Sequence, residues 1–339
     1  MRLFPLSVPA HVSRVAVRIL SLAVLGVVTS MATAQVAPAD AITLYPAFGA
    51  GTKAVFEGRI IAASTFSEPA TVDRRRDNLR RNLDLMMNEE REYHPVAVRV
   101  GDREWKTMTD AEGYFRVAVD DLALAEGWHD VSAKANDVVA AGRLLLIPAD
   151  TKQGVISDVD DTIQITEVNS ARRMLGNSFL LNPLQRQVVP GIVPFYRELV
   201  AMDTRPETAP VFYLSASPRQ LHWSLSLFLM QHAFPPGILI TKRVTNDETR
   251  DPLRDQFAYK TAKLEDILTR VPSVRFILVG DDGEHDPEIF HALRERFPDR
   301  VAAIWIRRVN PDPNRTRLPN QGVLNERLVQ YGSTAVSPN

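Results

Sequence analysis

Apolar and polar positions follow two different rhythms along the chain, and the change falls near residue 150. From residue 41 to 148 the apolar residues come in short, mostly alternating runs, which are typical of β-strands. Strands at this spacing predict a small β-sandwich domain over residues 41–148. The turn Thr109–Gly113 predicts a hairpin between the two strands that flank it. The predicted strands are Lys53–Ile61, Val96–Val100, Lys106–Thr109, Tyr114–Val119, His129–Lys134 and Ala140–Ile147.

A charged segment interrupts this β-rich region. Residues 71–92 contain no Gly or Pro, and Leu79, Leu83 and Met86 fall at the spacing i, i+4, i+7, which predicts an inserted amphipathic helix. Two interpretations stay open: peripheral contact with an anionic membrane, or a solvated helix packed on the sandwich. The polar face carries Arg74, Arg75, Arg76, Arg80 and Arg81, and the positive charge is diluted by Glu89, Glu90 and Glu92.

After residue 150 short apolar runs alternate with helical periodicity. This pattern predicts an α/β domain over residues 150–309, with a mainly parallel sheet flanked by helices, preceded by the immunoglobulin-like sandwich. Residues 310–339 are rich in Pro and Asn and are predicted to form a C-terminal extension that is partly loose. The predicted strands are Gly154–Ser157, Pro210–Leu214, Ile238–Thr241, Val274–Val279 and Val301–Ile306, and the predicted helices are Gln220–Gln231, Thr261–Thr269 and Glu288–Phe297.

The first 34 residues have the pattern of a secretory signal. Arg14 and Arg18 precede the apolar run Ile19–Thr29, and the small-residue sequence Ala32–Ala34 follows. This order predicts a signal peptide over residues 1–34 that is cleaved after Ala34, and therefore an exported protein, periplasmic or secreted. The run is shorter than the roughly 20 apolar residues of a membrane span, although an uncleaved anchor remains the alternative.

Composition narrows the class of protein. The 45% hydrophobic and 24% charged residues are ordinary for a globular chain, so a packed core is expected. A net charge of −1 argues against nucleic-acid binding driven by positive charge. The chain has no cysteine, which excludes disulfides, thiolate metal sites and a cysteine nucleophile.

Two groups of carboxylates stand directly after predicted strands. Asp158 and Asp160 follow the strand Gly154–Ser157, and their side chains share one face because side chains alternate along an extended chain. Asp281 and Asp286 follow the strand Val274–Val279. Ligands of parallel sheets bind at the carboxyl ends of the strands. So many carboxylates in one place would repel one another, and a hard divalent cation such as Mg²⁺ would compensate that repulsion.

The order of four motifs resembles the haloacid dehalogenase superfamily of phosphotransferases. The pattern is D-x-D-x-T, a strand-end Ser or Thr, a Lys before a helix, and G-D followed by a further Asp. The sequences of segments 158–163, 213–221 and 279–290, which contain three of these motifs, look more specifically like the App1 phosphatidate phosphatase family. This resemblance covers about residues 150–309, and the upstream turn Thr109–Phe115 is also similar to bacterial members. In this chain the four motifs read Asp158/Asp160/Thr162, Ser215, Lys260, and Asp281 with Asp286.

The resemblance implies a fold, a mechanism and a cofactor. The fold would be a Rossmann-like sheet of the haloacid dehalogenase type. Asp158 would attack phosphorus and form an aspartyl-phosphate, and Asp160 would act as general acid and then base. Ser215 and Lys260 would hold the phosphoryl oxygens. Mg²⁺ would bind the Asp158 carboxylate, the backbone carbonyl of Asp160, Asp281 and Asp286.

Three of these site residues have an alternative interpretation. Ser217 also follows its strand and is the alternative to Ser215, and Lys263 is the alternative to Lys260. Asp286 precedes a proline and could serve as a helix N-cap, a role that can coexist with metal binding. Three further residues have expected roles outside the catalytic set. Asp282 would touch a water near the site or face solvent, His285 would lie at the surface or behind the site residues, and Asp161 would be structural rather than catalytic.

The sequence leaves two classes of substrate open. Phosphatidate, a phosphorylated lipid, comes from the resemblance alone, and a small soluble phosphomonoester is the alternative. A binding module with a degenerate phosphatase domain is a different class of function. The intact set of candidate residues argues against degeneracy. Arginines in the segments 163–208 and 218–259, between the motifs, suit a phosphate-bearing substrate in any case.

Overall fold

Two β-sheets of different construction make up the described part of the chain. The computed structural model describes residues 40–62, 69–86, 89–165, 181–243, 255–310, 312, 314–315 and 317–332. The predicted signal peptide, residues 1–34, lies outside these residues. Among the described residues no helix combines the length and the apolar character that crossing a membrane requires.

The first sheet has eight strands and is almost entirely antiparallel. Its strands pair in the order β1-β3-β2-β8-β7-β4-β5, and β6 pairs with β3. The exception is the parallel pair β2 and β8. All six predicted strands are present, and β1 and β2 were not predicted. The strands are β1 (Asp40–Leu44), β2 (Ala47–Ala50), β3 (Lys53–Ala62), β4 (Pro95–Val100), β5 (Arg103–Met108), β6 (Tyr114–Val119), β7 (Gly127–Ala135) and β8 (Val138–Ile147).

The predicted hairpin across residues 109–113 is wrong. The turn is present, since Gly113 donates its backbone N–H to the Asp110 carbonyl at 3.0 Å. Its flanking strands, however, have different partners: β5 pairs with β4, and β6 pairs with β3. The Asp110 carboxylate accepts the backbone N–H groups of Glu112 and Tyr114, each at 3.0 Å. The segment therefore connects two pairs of strands, because β5 forms a hairpin with its neighbour β4, whereas β6 pairs with the more distant β3.

The inserted helix is shorter than predicted. Helix α1 (Arg75–Met86) covers only the middle of the segment 71–92. Further on, Glu90 pairs with Ile61 in an isolated β-bridge. The helix also turns an unexpected side inward: Asn78, Arg81 and Asn82 are buried, and Leu79 and Leu83 are exposed.

The second sheet is parallel throughout and carries helices on its faces. Its strand order is β13-β12-β9-β14-β15-β16. This arrangement confirms the predicted parallel sheet flanked by helices. A separate small pair, β10 (Gln164–Ile165) and β11 (Gln187–Val188), lies outside the sheet. The sheet strands are β9 (Gln153–Asp158), β12 (Val211–Pro218), β13 (Ile238–Lys242), β14 (Arg275–Asp281), β15 (Val301–Arg307) and β16 (Gly322–Val323).

Five helices accompany this sheet in the described residues. Helices α2, α3 and α6 pack on one face, where Phe195, Leu225 and Leu328 join one apolar cluster. Helices α4 and α5 pack on the other face with Tyr259 and Phe290. The central strand β9 is buried on both sides, as its unbroken apolar run requires. The helices are α2 (Ile192–Ala201), α3 (His222–Gln231), α4 (Gln256–Arg270), α5 (Asp286–Arg296) and α6 (Leu324–Gly332).

The sheet continues beyond residue 309. Strand β16 pairs with β15 in parallel, and Leu324 and Leu328 of helix α6 are buried. This part of the C-terminal extension thus belongs to the parallel sheet and its core. Residues 333–339, at the end of the extension predicted to be partly loose, lie outside the described residues.

The two sheets share apolar core. Phe48, Leu145 and Ile147 of the first sheet belong to the same buried cluster as Phe212 and helix α4 of the second. The rings of Phe48 and Phe212 meet edge to face, with centroids 4.8 Å apart. A separate cluster fills the first sheet itself around Phe56 and Val98. All of the clusters lie between Leu44 and Leu328, so the chain from Gln35 onward contains every one of them.

Candidate active site

The two groups of carboxylates meet because their strands are neighbours. Asp158 is the last residue of β9 and Asp281 is the last residue of β14. These strands pair in parallel, with Ser157 opposite Val279. The carboxyl ends of both strands therefore lie at the same edge of the sheet, as the sequence pattern predicted.

Lys260 lies between the buried carboxylates. Its Nζ donates to Asp158 Oδ1 at 2.7 Å and to Asp286 Oδ1 at 2.6 Å. Glu284 lies at 3.6 Å from the same nitrogen. Burial lowers the pKa of Lys260, but Asp158 and Asp286 outweigh burial and hold this pKa well above its ordinary value. Lys260 is therefore a fixed positive charge at this point.

Asp158, Asp281 and Asp286 form a buried cluster of carboxylates. One oxygen of each lies within 4.8 Å of the others. Burial raises the pKa of Asp158 well above its ordinary value, and Asp286 and Asp281 add to the rise against the opposing Lys260. Asp158 Oδ2 is buried and has no hydrogen-bond partner among the described residues.

The cluster fits a hard divalent cation. Three carboxylates face one ammonium group, which leaves an excess of negative charge in a buried place. Oxygen ligands of this kind are those that Mg²⁺ takes in proteins. Thr162 Oγ1 donates to Asp281 Oδ2 at 3.2 Å, and such a contact orients a carboxylate before a metal binds.

Gly280 makes room for Asp286. A Cβ added at Gly280 would lie 2.5 Å from Asp286 Oδ2 and 2.8 Å from Asp286 Cβ. A Cβ essentially never comes this close to a non-bonded atom, so a larger residue would push the carboxylate away from the cluster. The glycine that the sequence shows at this strand end therefore has a specific geometric reason.

Asp160 lies apart from this cluster and is held by neutral side chains. Ser215 Oγ donates to Asp160 Oδ2 at 2.9 Å, and Ser217 Oγ donates to the same oxygen at 3.3 Å. Gln164 Nε2 donates to Asp160 Oδ1 at 2.5 Å. Both candidate serines thus reach the same carboxylate, and Ser215 Oγ also accepts the Ser217 backbone N–H at 3.0 Å.

The structure separates the two lysine candidates. Lys260 contacts the carboxylates, whereas Lys263 Nζ lies over the Tyr259 ring, 5.6 Å from its centroid. The structure also shows where Asp286 lies relative to the start of helix α5. The N-cap position of helix α5 is His285, and Asp286 is the first residue inside the helix. The Asp286 side chain instead accepts from Lys260 and from the Asp281 backbone N–H.

Asp282 has a structural place that the sequence analysis missed. It is 3% exposed, and it accepts the backbone N–H groups of Val309 at 2.7 Å and Asn310 at 2.8 Å. Arg308 lies 3.3 Å from its second oxygen. The expectation that Asp282 faces solvent is therefore wrong, because the carboxylate is buried and fixes the chain after β15. His285 is exposed, as expected.

Further side chains near the site gave no signal in the sequence. Tyr196 of helix α2 contacts Ser157, and Ser157 Oγ donates to the Asp158 carbonyl at 2.5 Å. Tyr259 donates its hydroxyl to the Ser215 carbonyl at 3.2 Å. These contacts hold the backbone of both strand ends. The two tyrosine contacts join residues about 40 positions apart in sequence, and no local sequence pattern predicts them.

The first sheet holds two arginines that follow the strand ends of the second. Arg219 donates to Glu57 Oε2 at 2.6 Å. Arg243 donates to Asp110 Oδ2 at 2.7 Å and to Glu112 Oε2 at 3.0 Å. Because Arg219 comes shortly after Ser215 and Ser217, these ion pairs connect the first sheet to the loops around the candidate site.

The part of the chain that carries this geometry matches a known family. Residues 153–308 match the family described as the catalytic domain of phosphatidate phosphatase APP1. The domain belongs to the App1-like phosphatidate phosphatase family. Its matched segment begins at the first residue of β9 and ends just after β15, so the App1-like domain includes Asp158, Asp160, Ser215, Lys260, Asp281 and Asp286.

Two curated relatives match part of this chain. The phosphatidate phosphatase APP1 of Saccharomyces cerevisiae is 31% identical over 173 residues, which are 51% of this chain and 29% of the yeast protein. An uncharacterized protein of Schizosaccharomyces pombe is 28% identical over 218 residues, 62% of this chain and 35% of its own. This chain thus spans about a third of the length of these relatives. The structure of a carbohydrate acetylesterase from Xanthomonas citri aligns with 77% of this chain and 57% of its own length at 9% identity. Its TM-score of 0.26 is too low to indicate a shared fold.

Proposed function

We propose that this protein hydrolyses a phosphate monoester through an aspartyl-phosphate, and that its substrate is phosphatidate, which would give diacylglycerol and phosphate. The observation that carries the proposal is the buried contact of Asp158 with Lys260, beside Asp281 and Asp286. A nucleophile and a fixed positive charge for phosphoryl oxygens thus lie together. The match of residues 153–308 to the App1-like family supports phosphatidate as substrate and a haloacid dehalogenase-type fold for that segment. We further propose that the first sheet, which lies upstream of the match, is an immunoglobulin-like domain, because its short strands are typical of one.

Asp158 is the nucleophile in this mechanism. Its Oδ1 accepts from Lys260, and its Oδ2 has no hydrogen-bond partner among the described residues. Attack on phosphorus forms the bond between the carboxylate oxygen and phosphorus and breaks the bond to the alkoxide of the leaving group. Lys260 neutralises charge on the phosphoryl oxygens, where most of the stabilisation in phosphoryl transfer is needed.

Asp160 moves the protons. It gives a proton to the leaving alkoxide, and it then takes a proton from the water that attacks the aspartyl-phosphate and releases phosphate. Gln164 and the two serines, Ser215 and Ser217, fix both of its oxygens and so its orientation. When substrate binds, Ser215 turns its hydroxyl to a phosphoryl oxygen.

Asp158, Asp281 and Asp286, together with the backbone carbonyl of Asp160, would hold Mg²⁺. The bound cation would neutralise charge on the transferring phosphoryl group. Among the described residues the carboxylates outnumber the single buried ammonium beside them, which supports this assignment. Thr162 keeps Asp281 oriented by its hydrogen bond.

Arg186 supports a phosphate-bearing substrate. It is 6% exposed and donates to Gln164 Oε1 at 3.5 Å, so it lies beside the side chain that holds Asp160. Burial lowers the pKa of Arg186 to about 10, and the charge of Asp160 acts in the opposite direction. The guanidinium therefore stays charged at neutral pH. The signal pattern of residues 1–34 supports action after export, in the periplasm or outside the cell.

The test is phosphate release by the chain from Gln35, with short-chain phosphatidate in mixed micelles as substrate. Soluble phosphomonoesters are assayed in parallel, each with Mg²⁺ and with EDTA. The variants are Asp158→Asn and Asp160→Asn. Asp161→Asn is the matched control, because it removes the same charge at a neighbouring position whose positive φ of 53° asparagine tolerates.

We expect Mg²⁺-dependent release that is strongest with phosphatidate, absent in the Asp158 variant and retained in the Asp161 control. Stronger release from a soluble ester would keep the mechanism and overturn the lipid substrate. No release from any substrate would overturn the mechanism and favour a binding module.

A further inference from the structure

Helix α1 is packed with its polar side inward and its apolar side outward. Asn78 is completely buried and Asn82 is 6% exposed, whereas Leu79 is 37% exposed and Leu83 is 43% exposed. Just before the helix, Val72 is 85% exposed. A helix that only covers the protein surface would bury its leucines. The described residues therefore leave the outer face of α1 uncovered, so a binding partner can contact it.

The inner side of α1 is fixed by hydrogen bonds. Asn78 Nδ2 donates to Gln185 Oε1 at 2.7 Å, and Arg81 donates to Asp73 at 2.7 Å. Asn182 Nδ2 donates to the Ala70 carbonyl at 2.7 Å. These contacts attach the helix and the turn before it to residues 182–185. Such a specific set of partners holds the helix in one orientation, with its leucines outward.

The segment that holds α1 also leads to the candidate active site. Next to Gln185, Arg186 donates to Gln164 Oε1 at 3.5 Å, and Gln164 donates to Asp160 Oδ1 at 2.5 Å. Helix α1 also packs near the short 3-10 helix Arg219–Leu221, which follows directly on β12. The helix thus lies on the side of the molecule where Asp160 and its serines are found.

The outer face of α1 combines apolar and basic side chains. Arg76, Leu79, Arg80 and Leu83 follow one another at helical spacing on this face. Exposed arginines outnumber exposed aspartates over residues 74–86, so this part of the helix carries positive charge. The exposed charged residues are Arg74, Arg75, Arg76 and Arg80 against Asp77 and Asp84.

We propose that the outer face of α1, defined by Arg76, Leu79, Arg80 and Leu83, binds the surface of an anionic phospholipid membrane. The leucines enter the boundary of headgroups and acyl chains, and the arginines contact the lipid phosphates. Because this face lies on the side of Asp160, binding brings the candidate active site to the lipid surface. This inference deepens the proposed phosphatidate hydrolysis and rests on it for its purpose, although the binding itself is measured without turnover.

The experiment is flotation of the chain from Gln35 with phosphatidylcholine vesicles that either contain or lack phosphatidylglycerol. The chain from Gln35 keeps all of the apolar clusters, which lie between Leu44 and Leu328, and it removes the apolar leader from the measurement. The variants are Arg76→Gln/Arg80→Gln and Leu79→Ser/Leu83→Ser. A matched control is Met108→Ser/Val139→Ser, at apolar residues of the first sheet that are 57% and 61% exposed.

We expect binding only when phosphatidylglycerol is present, and weaker binding at high salt. Removal of each arginine should weaken it roughly fivefold, and the leucine variant should weaken it roughly tenfold. The control should bind as the unchanged chain does. Activity on a soluble phosphomonoester should be unchanged in every variant, which shows that the fold and the site are intact.

Several results would overturn the inference. These are no binding to anionic vesicles, equal binding to neutral ones, or equal loss in the Met108/Val139 control. A dimer in size-exclusion chromatography that the leucine variant dissociates would make this face an interface between copies of the chain. If vesicle binding depends on α1 but the protein does not hydrolyse phosphatidate, the membrane-binding role of α1 is retained and only the assignment of phosphatidate as substrate is overturned.

Discussion

Lys260 Nζ lies 2.7 Å from Asp158 Oδ1 although 102 positions of sequence separate the two residues. The contact forms because helix α4 packs on the sheet beside β12 and directs Lys260 to the carboxyl end of β9. A lysine here neutralises only part of the charge of the three carboxylates around it.

Asp158→Asn should stabilise the protein when no divalent cation is present. The substitution removes one of three mutually repelling buried carboxylates, and we expect a gain of about 1 kcal/mol in the free energy of unfolding in EDTA. Mg²⁺ should then stabilise the unchanged protein more than the variant, because the variant has lost a ligand. Thermal unfolding with EDTA and with Mg²⁺ measures both effects. Loss of stability in EDTA would show that the contact with Lys260 outweighs the repulsion.

Gly280→Ala should weaken metal binding without unfolding the protein. The new Cβ would meet Asp286 Oδ2 at 2.5 Å and displace that carboxylate. Displacement of one ligand should lower the apparent Mg²⁺ affinity by roughly 10–100-fold, measured from the Mg²⁺ dependence of phosphate release. Gly51→Ala is the control, since its φ of +59° strains the backbone while an added Cβ there meets nothing within 4 Å. An unchanged Mg²⁺ dependence in Gly280→Ala would contradict the placement of Asp286.

The ion pair of Arg219 with Glu57 should couple the two sheets. Their side chains are 12% and 34% exposed and meet at 2.6 Å, and Arg219 also lies over the Tyr45 ring. A double-mutant cycle with Glu57→Gln and Arg219→Gln should give a coupling energy of about 1–2 kcal/mol in urea unfolding. The exposed pair Arg103 and Asp121 provides the comparison and should give less than about 1 kcal/mol. Equal values for the two pairs would refute the special role of the buried one.

His222 should make the protein less stable in mild acid. Burial, helped by the charge of Arg219, lowers the pKa of His222 to about 4. Its stabilising contribution is complete above the unfolded-state pKa of about 6.5 and is lost as the pH falls toward 4, at most about 3 kcal/mol. His222→Phe keeps a ring against Tyr45, whose centroid is 4.9 Å away, and should flatten the stability curve between these pH values.

The control for this prediction is His291→Phe, at a half-buried position on helix α5. Urea unfolding at a series of pH values should show the acid-dependent loss in the control and in the unchanged chain, but not in the His222 variant. The same loss in all three proteins would assign the acid sensitivity to other groups.

Local patterns predicted the strands and the residues at their ends, and they did not predict distant partners. Asp158 and Asp281 could be found because each follows a short apolar run, and parallel strands bring such ends together. The pairing of β6 with β3 could not be found, since a turn sequence does not say which strand its neighbours will join. The burial of Asp282 depends on the backbone of Val309 and Asn310, which no spacing near Asp282 reveals.

The orientation of α1 is a second feature that local sequence patterns could not predict. The spacing of Leu79 and Leu83 predicted an amphipathic helix correctly, but it did not tell which face would turn inward. That choice depends on Gln185 and Asn182, which offer polar partners to the helix and its preceding turn. Sequence periodicity describes a helix alone, whereas its packing is decided by the surface it meets.

The position of Phe48, Leu145 and Ile147 in the core of the second sheet bears on how the protein can be divided. A fragment cut at the family boundary, residue 153, would lose all three side chains and leave Phe212 and helix α4 exposed to water. Such a fragment would aggregate or unfold more readily than the whole chain. The two sheets should accordingly melt in a single cooperative transition, and proteases should cut surface loops before they release a stable catalytic piece.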